Sequence, residues 1–380
     1  MADAPLVDAW RRARERGLRP LQIPGHKYRY AEGADALGAE VLGPLIRDDI
    51  ALQGGADDVH YTGQVLERAE QAWAAAVSAD QARFLVGGSS QGNISALLAV
   101  SGPGTPIAVD RTSHRSALAG LVASGAMPVW VNPAVHPEFG LPLGISAADI
   151  DALDRTIRAV FATTPSYAGT LADVPSLATA CHAGERTLVI DQAWGAHLLF
   201  LPGMGALAGG ADLVTTSIHK ALMGYSQTAV IARRGVRVDP ARLDRAVDLT
   251  ATTSPSATLM ASIDATRVVM ERDGRAALDR AIESVAGMRT ILRAVPGLVV
   301  LDDRELGCAT DPLKLTLWLP RTGVSGTTLA DRLWAQGNGV ESADTDTIVM
   351  TMSILDEPSF CRASADMLAG LIDEMRGEPR

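Results

Sequence analysis

Seven short apolar runs, separated for the most part by segments long enough for helices, occupy residues 82–232. They are Arg83–Val86, Ile107–Val109, Pro128–Val131, Ala159–Thr163, Leu188–Ile190, Leu213–Thr216 and Ala229–Ala232. Runs this short, several rich in Val and Ile, read as strands buried on both faces. Ala- and Leu-rich stretches between them, such as Ser95–Val100 and Ser116–Ser124, suit crossover helices. The alternation predicts an α/β fold whose seven-stranded sheet is mostly parallel, with right-handed crossovers. Such sheets hold ligands beyond the carboxyl ends of their strands, so chemistry is expected in the residues just after each run.

Residues 1–50 are less regular. A helical piece over Trp10–Arg16 precedes Leu21-Gln22-Ile23-Pro24-Gly25-His26-Lys27, whose Pro-Gly marks a turn. After Thr253-Ser254-Pro255-Ser256 a helical pattern runs from about Leu259 to Val295. A second α/β set follows: Leu298–Leu301, Lys314–Leu319, a helix near Thr328–Gln336, Ile348–Ile354 and a last helix from about Ser359. The expected organisation is an arm over 1–50, a large domain over 51–260 and a smaller α/β C-terminal domain over 261–380, hinged near residue 260.

The net charge of −10 argues against duplex nucleic acid or an anionic membrane as partner, because phosphate neutralisation needs a basic face. Cys181, Cys308 and Cys361 are far apart and form no C-x-x-C. A disulfide framework and a cysteine zinc site are thereby excluded, and no metal is expected. No basic patch followed by an apolar run opens the chain, so no secretory signal is expected. No stretch approaches about 18 apolar residues. A cytoplasmic protein acting on a small molecule is the expectation.

Three strand ends carry the chemistry. Gly87-Gly88-Ser89-Ser90-Gln91-Gly92-Asn93 lies between an apolar run and a helix, where two glycines, hydroxyls and free N–H groups suit a phosphate. It matches neither nucleotide fingerprint, and alone it reads more readily as a Ser-capped helix after a Gly turn. Asp191-Gln192-Ala193-Trp194-Gly195-Ala196-His197 follows Leu188-Val189-Ile190, which places a carboxylate in the ligand crevice or at a helix cap. Thr215-Thr216-Ser217-Ile218-His219-Lys220 follows a third run and precedes the apolar Ala221-Leu222-Met223-Gly224. A lysine in a partly dry pocket has a lowered pKa and an amine available for a Schiff base. Asp191 and Lys220 lie 29 residues apart, room for one helix and one strand. An amine, a carboxylate for a ring nitrogen and an anion cradle are together what pyridoxal 5'-phosphate requires.

The chain resembles the Orn/Lys/Arg decarboxylases, fold type I pyridoxal-phosphate enzymes of the aspartate aminotransferase superfamily. The matching pieces are Pro24-Gly25-His26-Lys27, Gly88–Asn93, Ser113-His114, Asp191–His197, Ser217–Lys220, Gln227-Thr228, Thr253–Ser256 with Met260-Ala261-Ser262, and Glu341-Ser342-Ala343-Asp344. By resemblance, Lys220 would hold the cofactor as an internal aldimine, and Asp191 would keep its pyridine nitrogen protonated. Ser89, Ser90 and Gln91 would lie around phosphate and ring, with Ser217 a further phosphate contact. His114 matches the family's ring-stacking His, a helix-capping His being the alternative. His219 would contact phosphate or substrate and supply a proton to the carbanion. Ala193 would pack beneath the ring. Glu341 would face the substrate's distal cation, with Trp194 and His26 also on the substrate side. Thr253 and Ser254 match a segment that in the family reaches across a dimer interface to the neighbouring cofactor, which implies a homodimer, or a tetramer of dimers, with shared sites.

The implied reaction is decarboxylation of ornithine, lysine or arginine through a quinonoid, giving a polyamine-type amine. The alternative is a pyridoxal-phosphate aminotransferase, lyase or oxidase acting on arginine or a related amino acid. A transaminase would clamp the carboxylate with a bidentate Arg, but Arg321 and Arg332 read as surface charges. A regulator without activity would need neither Lys220 nor Asp191. The chain departs from the family at Gln192 and Trp194, where many members have Glu and His, and at Ala257, where Tyr often stands. Neither the N-terminal wing nor the C-terminal extension of the large members is matched. Wing-dependent assemblies are therefore not expected, and one wall of the site is expected to be missing.

Overall fold

The computed structural model describes residues 3–17, 21, 23–28, 43, 45–57 and 64–376. Gln22 and much of the 1–50 arm lie outside the described residues.

Each of the seven apolar runs is a strand: β1 (Gln81–Leu85), β2 (Pro106–Asp110), β3 (Met127–Val131), β4 (Ala159–Thr163), β5 (Thr187–Asp191), β6 (Leu213–Ser217) and β7 (Ala229–Arg233). They form one sheet in the order β1-β7-β6-β5-β4-β2-β3. The pairs from β3 to β6 are parallel, and β7 runs antiparallel to both β6 and β1. Alternate residues feed two apolar layers. Phe161, Val189, Leu213 and Ile231 pack on one face under Leu97, Leu121 and Leu243. Val160, Leu188, Ile190 and Val214 pack on the other with Ile150 and Leu177.

The expectation that every run is buried on both faces fails at β3. Among the described residues this edge strand pairs only with β2, and Met127 and Val129 are 61% and 39% exposed. The helix after β1 also begins earlier than its apolar stretch, spanning Gly88–Val100. It lies close on the sheet: a Cβ at Gly92 would stand 2.4 Å from Thr215 Cγ2, so no larger residue fits there without displacement.

At the N-terminus, helix Pro5–Glu15 docks on helix Ala257–Val269, its Leu6 N–H donating to Asp264 Oδ2 at 3.0 Å. The helical pattern expected after Leu259 is one run from Ala257 to Arg293, interrupted by a π turn at Met270–Gly274. Beyond it lie β8 (Val299–Leu301), β9 (Lys314–Trp318), β10 (Ser342–Ala343) and β11 (Thr347–Thr351), a sheet ordered β10-β11-β9-β8. All its pairs are antiparallel, and helices Arg275–Arg293 and Pro358–Glu374 accompany it. The three cysteines are free thiols. Among the described residues no helix is long and apolar enough to cross a membrane, and no group of three or more His, Cys, Asp or Glu is placed to hold a metal.

Candidate active site

Strand register brings the key residues to one edge. Thr163 at the end of β4 pairs with Asp191 at the end of β5, and Asp191 pairs with Thr215 on β6. Leu85, the last residue of β1, faces Ala229 across from Ser217. The segments after β1, β5 and β6 therefore leave the sheet side by side.

Asp191 is 2% exposed and bound by neutral donors. Its Oδ1 accepts from Ala193 N–H at 3.0 Å and its Oδ2 from Asn93 Nδ2 at 2.7 Å. Burial raises its pKa against those two bonds and the nearby Lys220 and His114. Among the described residues no cation is in contact with it, and such a buried carboxylate favours a ligand that offers a charged N–H. Asn93 also donates to Ser116 Oγ at 2.9 Å, and Ser116 Oγ meets His114 Nδ1 at 2.8 Å. His114 is thus the N-cap of helix Arg115–Ser124, as the capping alternative foresaw, and also the end of a hydrogen-bonded line leading to Asp191. Burial lowers its pKa, Asp191 acting in the opposite sense.

The second group surrounds the start of helix Gly88–Val100, whose first-turn N–H groups have no intrahelical acceptor. Gly88 takes φ +69°, which turns the chain into the helix, and its N–H donates to Gln227 O at 2.8 Å. Ser217 Oγ donates to Ser89 Oγ at 2.9 Å, both residues being buried, which joins the β1 and β6 ends into one hydroxyl pair. Ser90 is exposed on the same turn. Gln91 is turned inward instead, its Oε1 accepting from Gly87 N–H at 2.9 Å, so it holds the loop. His219 Nδ1 lies 2.9 Å from Thr228 O, and because a carbonyl only accepts, Nδ1 carries a proton.

Lys220 lies in a short helix, Ile218–Ala221, and its Nζ stands 4.2 Å from the centroid of the Trp194 ring. Burial lowers its pKa, with Asp191 and Glu341 opposing. Trp194 meets the Tyr167 ring edge-to-face at 5.5 Å. Tyr167 in turn donates to Glu341, whose Oε1 is 3.1 Å away. On the opposite strand layer Lys314 Nζ lies 3.6 Å from the same indole centroid. The edge thus gathers Ser89, His114, Asp191, Ala193, Trp194, Ser217, His219, Lys220 and Glu341 around one region.

Three expected residues are not brought there within this chain. His26 sits on a turn 3.1 Å from Asp49 Oδ2. Thr253 and Ser254 lie on an exposed loop ending at Ser256, whose hydroxyl donates to Asp49 Oδ1 at 3.2 Å. These segments form a cluster of their own. Arg321 pairs with Glu138 on the surface, 61% exposed, which agrees with its reading as a surface charge.

Sequence reasoning assigned no role to Asn93, Ser116, Tyr167 or Lys314. Tyr167 follows β4 as Lys220 follows β6, so the strand-end rule applied to that run would have found it. Asn93 and Ser116 face inward from helices and leave no local signature. Lys314 opens a strand of the second sheet.

Residues 4–305 match the family described as Orn/Lys/Arg decarboxylase, major domain. The chain is similar to an arginine decarboxylase of Halalkalibacterium halodurans, 30% identical over 81% of this chain and 65% of that protein. It is also similar to an arginine decarboxylase of Bacillus cereus, 28% identical over 94% of this chain and 80% of that protein. The lysine decarboxylase LdcF of Francisella novicida superposes with a TM-score of 0.84 at 18% identity, covering 98% of this chain and 60% of that one. The chain therefore spans just under two thirds of the first of these relatives and less of the structure. An aspartate aminotransferase of Thermus thermophilus shares the fold more distantly, at a TM-score of 0.65 and 15% identity over 81% of this chain and 90% of that one.

Proposed function

The chain belongs to the Orn/Lys/Arg decarboxylase family, and from that premise we propose that it removes the α-carboxylate of ornithine, lysine or arginine, in the cytoplasm, with pyridoxal 5'-phosphate as cofactor. One observation carries this reading: the buried Asp191 at the end of β5 and Lys220, just past the end of the neighbouring β6, leave the sheet side by side, with the Lys220 Nζ over Trp194, three residues beyond Asp191. When bound, the cofactor supplies an electron sink for the bond that breaks.

The donor set fits that group. Asp191, without a cation in contact, would accept the ring N–H. The Ser89–Ser217 hydroxyl pair and the first turn of helix Gly88–Val100 would receive the phosphate, with Ser90 at the rim. Lys220, its ammonium destabilised by burial, offers the free amine needed for condensation. His114 and Ala193 would bracket the ring, His114 held in place through Ser116. His219, proton fixed on Nδ1 by Thr228, keeps Nε2 free to hold or pass a proton. Glu341, oriented by Tyr167, would receive the distal cation of the substrate. Gln91 would act through the loop it holds.

Thr253, Ser254 and His26 enter this reading through a second copy. Their exposed cluster would complete the partner's site in a homodimer, and arm, large domain and small domain would divide at residues 50 and 260.

Incubation with ornithine, lysine and arginine, followed by mass spectrometry, tests the proposal against a Lys220→Ala control. Carbon dioxide with a diamine or agmatine is expected. A keto acid or peroxide would replace decarboxylation by the aminotransferase or oxidase alternative.

A further inference from the structure

Lys314 is the first residue of β9 and is 3% exposed. Its Nζ donates to Thr351 Oγ1 at 2.8 Å and lies over the face of Trp194. Among the described residues no carboxylate comes within salt-bridge distance of it. The two acids that act on it are engaged elsewhere: Asp311 Oδ1 with His197 at 2.8 Å, and Glu341 with the Tyr167 hydroxyl at 3.1 Å. An ammonium carries three donors, and a buried one without a counterion is costly. Burial lowers its pKa to about 8, Lys220 adding to the effect. Its backbone is tied to neighbouring elements. Arg289 donates to Lys314 O at 2.8 Å, and the buried His197–Asp311 contact ties the approach to β9 to the segment that carries Trp194.

We propose that Lys314 binds the carboxylate of the amino-acid substrate. This deepens the reading given above and rests on it, since the substrate's amine must exchange with that of Lys220. The distances fit. Lys220 and Lys314 ammonium nitrogens stand 4.2 and 3.6 Å from one indole centroid, so they are at most 7.8 Å apart, the sum of the two. An α-amino acid places a carboxylate oxygen about 3 Å from its own amine nitrogen. A hydrogen bond onward to Lys314 adds about 3 Å. The two legs span about 6 Å, a length inside that bound, so an amine that takes the place of Lys220 Nζ can present its carboxylate to Lys314. A lysine is a point charge, whereas an arginine fork also fixes the carboxylate plane. Lys314 thus sets where the carboxylate lies and leaves the bond to Cα free to turn into the orientation in which it breaks.

The test uses the coenzyme-loaded enzyme and reads binding by visible absorbance titration. L-arginine, L-lysine and L-ornithine are compared with agmatine, cadaverine and putrescine, which lack only the carboxylate. Lys314→Met is expected to weaken the amino acids at least tenfold while the amines stay within about threefold. Thr351→Val, which frees the ammonium from its hydroxyl partner and leaves the charge, is expected to weaken them in the same sense and less. It also serves if Lys314→Met does not fold. Equal losses for amino acids and amines, or no loss for either, would overturn the assignment while leaving the cofactor reading intact. A wild-type protein that gains no coenzyme absorbance, or one that Lys220→Ala does not abolish, would overturn the cofactor reading and this inference with it.

Discussion

Asn93 Nδ2 stands 2.7 Å from Asp191 Oδ2 and 2.9 Å from Ser116 Oγ, so one helix side chain fixes the buried carboxylate and connects it to His114. Among the described residues the Asn93 Oδ1 has no hydrogen-bond partner. Its two donors are both committed to this line. The position of Asp191 is thus set across three elements.

Removing that donor should weaken the grip on a ring nitrogen. In Asn93→Ala the carboxylate keeps only the Ala193 N–H, and its protonated form gains further ground. A hydrogen bond to a charged group contributes roughly 1.5–3 kcal/mol, so coenzyme affinity should fall by about tenfold or more. Equilibrium dialysis of the coenzyme measures this, and unchanged affinity would show that Asn93 only packs.

Glu341→Gln should separate substrates by charge. The amide keeps a partner for Tyr167 but no longer attracts a distal cation. The expected outcome is a rise in KM of about tenfold or more for basic amino acids, with little change for a neutral analogue such as norleucine. A uniform change across both would place Glu341 outside the substrate site.

Gly92→Ala tests the close packing of helix and sheet. The added Cβ would stand 2.4 Å from Thr215 Cγ2 and 3.0 Å from Leu85 Cδ1. Overpacking of this kind costs roughly 1–3 kcal/mol, which urea unfolding would report. Because the same helix carries Ser89, coenzyme affinity should fall as well.

Away from the site, Glu70 gives the fold a pH dependence. Its Oε1 accepts from Phe84 N–H at 2.8 Å and its Oε2 lies 3.5 Å from Arg83 Nε. Burial raises its pKa from 4.5 to about 7, although Arg83 and the Phe84 N–H oppose it. The folded state therefore holds this proton more tightly than the unfolded chain does. The stability it contributes is complete below pH 4.5 and is lost as pH rises through about 7. The difference is on the order of 3 kcal/mol. Unfolding followed from pH 4 to 8 should show a decline in wild type that Glu70→Gln largely removes.

The seven runs were legible because burial on both sides of a sheet leaves an unbroken apolar signature. Asp191 and Lys220 were legible because a parallel strand delivers whatever follows it to the ligand edge. At β3 the same rule overreached, since edge position is a matter of sheet order and not of local composition. Gln91 shows a subtler limit. The resemblance puts it around phosphate and ring, whereas it stands in the first turn of helix Gly88–Val100 with its Oε1 folded back onto Gly87 N–H.

Local pattern thus determined the strands, the order of the motifs and the residue types at the strand ends, because each depends on neighbours a few positions away. Tertiary structure alone decided that Asn93 reaches Asp191, that Tyr167 orients Glu341, and that Lys314 of the second sheet and Lys220 both approach the Trp194 ring. Those contacts join residues between 98 and 174 positions apart, or two separate sheets meeting at one indole. No periodicity encodes such a distance. It is set by how the two layers close over each other.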